Sequence, residues 1–232
     1  MTNDASVVPQ HVGYIVDGNR RWAKKHGLPV YEGHLAGYNA LKDIAIATIE
    51  SGVKYMSAFV FSTENWKRES DEVRRLLSLV LRLVSVDIPL FNQYNIRLKV
   101  VGSREGLSEK ILKAIDKAEV ATAGNTSGEF LLCFNYGGQL EVAEAVKKIV
   151  QSGVEADDVT VEMISENIYA PEVPPVDLIV RTSGEQRLSN FMLWRSAYSE
   201  LLFLDKPWPD MTKDDVKAIM KEYTRRQRRF GG

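Results

Sequence analysis

Six short apolar runs, each rich in β-branched and aromatic residues, recur along the chain at 12–16, 55–61, 96–101, 130–135, 177–181 and 201–204. They are nearly continuous in apolar character rather than alternating, as strands covered on both faces must be. Between them, apolar residues recur at helical spacing over 34–51, 71–94, 108–123, 139–151 and 160–168. Strands alternating with helices predict an α/β fold with a mainly parallel central sheet of about six strands, flanked by helices. No repeat, low-complexity tract or linker-like shift interrupts the pattern, so residues 1–232 read as a single domain. The polar opening at 1–10 is expected to be flexible, and 221–232 forms a basic tail. The run from Leu76 to Val84 is apolar around most of a helix circumference, so it is either ordinary core or the wall of an apolar cavity.

Composition narrows the class without naming it. With 44% hydrophobic and 26% charged residues, the chain is an ordinary globular protein, and 232 residues suffice for one full core. A net charge of −1 gives no global attraction to nucleic acid or anionic membrane. The single cysteine, Cys133, sits in an apolar run and has no internal disulfide partner. The opening lacks an apolar signal core, and no apolar stretch approaches the ~18 residues of a membrane span, which points to a cytoplasmic protein.

Chemistry concentrates in three segments at the expected carboxyl ends of strands, where open α/β sheets bind ligands. The first, Asp17-Gly18-Asn19-Arg20-Arg21-Trp22, combines guanidinium groups with a glycine that permits close backbone approach. It reads equally well as an Asp helix cap with a solvated basic turn. His34 follows at the opening of a long helix, as a phosphate donor or a structural histidine. In the second, Ser62-Thr63-Glu64-Asn65-Trp66-Lys67-Arg68, hydroxyls and an amide suit a polar substrate or a helix cap. The third places Arg181, Arg187 and Ser189 around a Ser-Gly turn, with Glu200 further on. Arg181 directly follows a strand, which favours a ligand role, whereas Glu200 taken alone reads as a strand-edge charge. Asp17 beside so many arginines would repel a diphosphate unless a hard cation bridged them, and Mg²⁺ is the usual one.

Taken together, Asp17-Gly-Asn-Arg-Arg-Trp22, Gly33-His34-x-x-Gly37, Phe61-Ser-Thr-Glu-Asn-Trp66, Arg181-Thr-x-Gly-Glu-x-Arg187-x-Ser-Asn-Phe191 and Trp208-Pro-Asp210 resemble the signature segments of the cis-prenyltransferase (undecaprenyl diphosphate synthase) family, in order and from His11 to Gly232. The resemblance implies a Mg²⁺-dependent enzyme that joins isopentenyl diphosphate to an allylic prenyl diphosphate with cis geometry, beside an apolar tunnel. It implies that Asp17 holds the metal and assists loss of the allylic diphosphate, and that Gly18, Asn19, Arg20, Arg21, Trp22 and His34 cradle that group. Arg181, Arg187, Leu188 and Ser189 would bind isopentenyl diphosphate, with Glu200 a further metal ligand. Ser62, Thr63, Glu64, Trp66 and Arg68 would shape the site, and Asn65 would position the carbon that loses a proton. Arg229 and Gly231 match a C-terminal Arg-x-Gly that completes the partner's site, so a homodimer is expected, with peripheral membrane contact for product release and no role for nucleic acid.

One position departs from the family pattern. Members usually carry an arginine four residues before the histidine of the Gly-His segment, and this chain has Val30. Arg20, where many bacterial members have glycine, is the expected compensation. Val30 also keeps open prenyl transfer to an acceptor other than isopentenyl diphosphate. A non-catalytic partner subunit is the third reading, and Asp17 and Glu200 argue against it, since a scaffold needs no metal ligands. The segment from Trp66 to Asn95 has no long insertion, which disfavours very long products.

Overall fold

The computed structural model describes residues 8–226. Residues 1–7 and the C-terminal 227–232, with Arg229 and Gly231, lie outside the described part. The apolar runs become strands β1 (His11–Ile15), β2 (Tyr55–Ser62), β3 (Ile96–Val101), β4 (Gly128–Tyr136), β5 (Leu178–Arg181) and β6 (Glu200–Phe203). They form one sheet in the order β3-β4-β2-β1-β5-β6, every neighbouring pair parallel.

Burial on both faces explains the unbroken apolar character of the runs. Val12, Tyr14, Met56, Ala58, Phe130, Leu132, Leu178 and Val180 point into the larger core. It is closed by α2 (Val30–Glu50), α3 (Ser70–Leu83), α5 (Glu109–Thr122) and α8 (Lys213–Arg225), with short α1 (Asn19–Lys25) before α2 and short α4 (Ile88–Gln93) between α3 and α5. The alternate residues Ile15, Leu131, Cys133 and Ile179 face a second core with Val173, Val176, Phe191 and Met192. Helices α6 (Gly138–Gln151) and α7 (Val161–Asn167) pack together around Ala145, Ile149, Ile164 and Ile168.

The helix expected over 71–94 is two helices. Leu83 ends α3, and α4 starts behind Asp87 with a proline in its first turn. Pro89 has no N–H to give Ser85, and its ring would clash with that carbonyl, so a continuous helix fails there. Helix α8 escaped notice because its apolar positions are sparse, although Thr212 caps it by accepting from the Asp215 amide. The expected apolar tunnel is not shown. In its place, between α2, α3 and the sheet, lies a cavity of about 60 Å³. No helix of the described residues is long and apolar enough to cross a membrane.

Candidate active site

Strand β1 has β2 on one side and β5 on the other, so the connections leaving β1 and β5 diverge at their carboxyl ends. Open α/β sheets bind ligands in such a crevice. Here the loops after β1, β2 and β5 enclose a cleft of about 870 Å³. Its walls carry Asp17, Gly18, Asn19, Arg20, Arg21, His34, Ser62, Glu64, Asn65, Arg68, Arg181, Arg187 and Ser189. The three chemistry-bearing segments therefore meet in one place.

Asp17 lies on the cleft wall and does not cap a helix. The residue preceding α1 is Gly18, at φ 108°, with no side-chain cap. A Cβ at Gly18 would meet the Ser183 hydroxyl at 2.7 Å and Pro207 Cβ at 2.9 Å, so backbone conformation and space both require glycine. The Gly18 amide donates to Asp17 Oδ1 at 2.7 Å, and Arg181 Nη2 donates to Oδ2 at 2.9 Å. Arg21 Nη2 stands 3.4 Å from the same Oδ2. The loop is pinned behind by Thr182, whose hydroxyl donates to the Asp17 carbonyl at 2.7 Å.

Arg181 is the pivot of the second segment. It is buried at the end of β5, and Nη1 donates to Ser189 Oγ at 2.8 Å and to the Arg187 carbonyl. Its buried Nε has no hydrogen-bond partner among the described residues. Ser183, Ser189 and Asn190 adopt positive φ (73°, 49° and 66°), so the turn carrying the second anion set is a strained loop held by its contacts. Glu185 sits between two arginines, 3.1 Å from Arg21 Nη1 and 2.5 Å from Arg187 Nη1, and both hold its carboxyl below the usual range, Arg187 the more strongly.

His34 and Glu72 close the other wall. His34 Nε2 donates to Glu72 Oε1 at 3.2 Å, leaving a buried Nδ1 without a partner among the described residues. Burial holds the imidazole below its ordinary pKa, against the opposing pull of Glu72, so it is neutral at pH 7. Glu72 Oε1 also receives Arg68 Nη1 at 2.9 Å and lies 4.0 Å from Arg20 Nε. One carboxylate thus gathers His34 and Arg20, both expected to cradle a diphosphate, and Arg68, expected to shape the site. In the sequence, the one signal for Glu72 is its place four residues after Arg68.

Other expected residues take supporting positions. Ser62 precedes a 3₁₀ turn (Thr63–Lys67), and the Asn65 side-chain Oδ1 accepts from the Ser62 amide at 3.1 Å, so this segment is both a cap and a cleft wall. Glu64 accepts from Asn190 Nδ2 at 3.0 Å, tying the second segment to the third. The Trp66 indole donates to Asn135 Oδ1 at 2.7 Å, and that buried asparagine donates to the Ser103 and Glu105 carbonyls. Trp22 turns to Asp210, its Nε1 donating at 2.6 Å, and stacks on His26. Neither indole is on the cleft wall, nor is Thr63 or Leu188, which packs against the second core.

Glu200 is not brought to Asp17. Register pairs it with Leu178 at the start of β5, whereas Arg181 pairs with Phe203. The three residues between set Glu200 roughly 10 Å back, toward the amino edge of the sheet. There it accepts from Arg226 Nη1 at 3.0 Å. Among the described residues no cluster of three or more His, Cys, Asp or Glu side chains could hold a metal. Asp17 alone, in a cleft lined with arginines, still fits Mg²⁺, which binds through one or two carboxylates with the remainder of its shell from phosphate and water.

The family model described as "Putative undecaprenyl diphosphate synthase" matches residues 15–231. An isoprenyl transferase of Thermotoga maritima is 45% identical over 97% of this chain and 97% of its own length. One of Agrobacterium fabrum is 41% identical over 99% and 95%. Among solved structures, lavandulyl diphosphate synthase from Lavandula x intermedia, in complex with dimethylallyl diphosphate, superposes with a TM-score of 0.93 at 32% identity, covering 97% of this chain and 99% of that one. A "probable undecaprenyl diphosphate synthase" from Campylobacter jejuni gives 0.82 at 29%, with the same coverage. With the signature segments assembled in one cleft and the match running nearly end to end, the chain is a prenyltransferase and belongs to the cis-prenyltransferase family.

Proposed function

We propose that this protein is a Mg²⁺-dependent cis-prenyl elongase, which condenses isopentenyl diphosphate with an allylic prenyl diphosphate to give a cis-polyprenyl diphosphate. The observation that carries the reading is the bridging position of Arg181. It touches Asp17 on one side and Ser189 on the other, so two anion-binding sets share one cleft.

In this reading Asn19, Arg20 and Arg21 hold the allylic diphosphate, and the N–H that His34 now gives to Glu72 turns to a phosphate oxygen. Arg181, Arg187 and Ser189 hold isopentenyl diphosphate, with Arg181 keeping the two diphosphates in register. Bound magnesium would neutralise the departing diphosphate against Asp17. The arginines add charge-assisted hydrogen bonds to that group as charge develops on it. Leu76 and Val60, where the cleft meets the apolar cavity, screen the developing cation from water. Asn65 orients the carbon that loses its proton. Glu64, Ser62 and Arg68 shape the wall, and Trp66 and Trp22 brace the loops from behind. The protein acts as a homodimer in the cytoplasm, touching the membrane peripherally when product leaves.

The test is incorporation of labelled isopentenyl diphosphate with Mg²⁺ and allylic primers of several lengths, with Asp17→Ala as the control. Butanol-extractable label that requires both Mg²⁺ and Asp17 is the expected result. A second reading, transfer to an acceptor other than isopentenyl diphosphate, draws on the half-exposed Val30 at the opening of α2 and on the likeness to a lavandulyl diphosphate synthase. Label entering product only from the allylic substrate would select it.

A further inference from the structure

Helix α6 begins on a glycine pair that gives it no cap of its own. Gly137 precedes the helix without a side-chain hydrogen bond, and the acceptor that a local Ser, Thr, Asp or Asn would supply comes instead from Asn190. The Gln139 amide donates to Asn190 Oδ1 at 2.8 Å, and the Gly138 amide donates to the Asn190 carbonyl at 2.7 Å. The other half of the same side-chain amide serves a different loop, with Nδ2 donating to Glu64 Oε1 at 3.0 Å. A Cβ at Gly137 would meet Thr63 Oγ1 at 2.7 Å and Asn190 Nδ2 at 3.0 Å, so one residue from each loop closes over that glycine.

This bracket joins two loops that carry different parts of the site. On one side it fixes the residue after Ser189, whose hydroxyl Arg181 holds at 2.8 Å. On the other it fixes Glu64, next to Asn65, in the turn that follows β2. Both Asn190 and Glu64 lie on the cleft wall. Stability alone does not ask for this arrangement. Glu64 is exposed and could rest in water, and a helix start can be capped by the residue that precedes it. Instead Asn190 takes φ 66°, in a stretch where Ser189 and Met192 are also left-handed, at 49° and 45°. Asparagine is among the few side chains that tolerate that conformation, and it carries an acceptor and a donor on one group. Aspartate would keep the acceptor and lose the donor, and glycine would keep the backbone and lose both. Against the cost of partial burial, hydrogen bonds led by that from Asn190 hold the Glu64 carboxyl below its usual range, so the bracket ends on a charged group.

On the prenyl-transfer reading above, we propose that Asn190 is a positioning residue for the reaction. It holds the loop of Arg187 and Ser189 at a fixed separation from the wall of Ser62, Asn65 and Arg68, and so sets the isopentenyl group against the allylic carbon. Arg181 anchors that loop from the end of β5, and Asn190 anchors it from the start of α6. Loss of the second anchor leaves both diphosphates able to bind and lets their reacting carbons drift apart. A misplacement of ~1 Å costs about 10²-fold in rate.

The experiment has two arms. In the first, the single-turnover rate of condensation is measured with labelled isopentenyl diphosphate. Both diphosphates are saturating, so that charge added beside an anion site acts on KM and not on the rate. Asn190→Asp keeps the acceptor for the Gln139 amide but sets a carboxylate against Glu64, and the rate falls by about 10²-fold. Adding Glu64→Gln reverses the hydrogen bond, restores the net charge of the pair and recovers about tenfold of the rate. An undiminished rate in Asn190→Asp, or no recovery in the double variant, overturns the proposal. In the second arm, hydrogen exchange of the substrate-free protein follows the Gln139 amide and residues 62–68. Asn190→Gly, which suits the left-handed backbone, speeds exchange at both by about tenfold, and wild-type protection there overturns the proposal. If Asn190→Asp does not fold, Asn190→Gly carries the rate arm as well, and a wild-type rate overturns it. Absence of incorporation by the wild type defeats the elongase reading alone, because the exchange arm still reports whether Asn190 joins the two loops.

Discussion

Two arginines are buried to nearly the same extent, Arg181 at 4% exposure and Arg195 at 5%, yet they are used differently. Arg195 gives its donors to backbone carbonyls, Nη1 to Val173 at 2.9 Å and Nη2 to Tyr169 and Ala170. It ties the connection before β5 to the segment after Phe191, and Glu141 supports its charge across the second core. Arg181 bonds to a carboxylate, a hydroxyl and one carbonyl on a cleft wall, and leaves Nε without a partner among the described residues. A buried cation whose donors all end on the chain's own backbone is structure. One that faces a cavity with hydrogen-bonding capacity in reserve is set for a ligand.

The same substitution at both sites tests that contrast most sharply. Arg181→Met lowers kcat/KM for isopentenyl diphosphate by about 10³-fold, with little change in the melting curve. Steady-state kinetics beside calorimetry would show it, and an early-melting Arg181→Met protein would break the comparison. Arg195→Met does the reverse. It costs about 3–5 kcal/mol of stability, because carbonyls and the Glu141 charge are left unpaired in the core. The fraction that stays folded keeps wild-type turnover, as denaturant titration and activity on one sample would reveal.

A third test belongs to the structural side. His11 is fully buried, with Nδ1–H donating to the Pro174 carbonyl at 2.9 Å and Nε2 accepting from Ser57 at 2.7 Å. Burial, aided by the charge of Arg195, lowers its pKa to about 4, with Asp177 opposing. The unfolded chain takes up this proton near pH 6.5 and the folded chain only near 4. Stability is therefore full above the upper value and falls by about 3 kcal/mol as pH drops through that window. His11→Gln flattens the slope, measured as urea midpoints against pH. The smallest effect is on the ligand side. Val30→Arg, adding a cation one helical turn before His34, lowers the KM for allylic diphosphate by roughly threefold, and an unchanged KM would mean that Arg20 already serves there.

Much of this was legible in the residues. The six apolar runs became the six strands to within a residue or two, since β-branched runs with no polar alternation fit only a sheet buried on both faces. Asp17, Asn65, Arg68, Arg181, Arg187 and Ser189 reached one cleft because each follows a strand at its carboxyl end. Glu72 was not legible, since a glutamate one helical turn past an arginine looks like any surface pair until His34 arrives from another helix. Nor was Asn135, which reads as the end of an apolar strand and turns out to hold Trp66. For Glu200 the residues alone do not say which edge of the sheet it occupies, and register sets it at the amino edge, away from Asp17 of its own chain.

The sequence by itself determined the kind of layers this protein has and which residue types could meet a diphosphate. Both depend on local periodicity and on side-chain chemistry, and these survive without coordinates. Only the tertiary structure decided that Asp17 meets Arg181 across 164 residues, that Glu72 gathers His34, Arg68 and Arg20 at once, and that Tyr38 is anchored to Asp87. Those pairings depend on strand order, register and the break between α3 and α4. Each of these is set by how whole faces bury one another, so no short window of residues carries the answer.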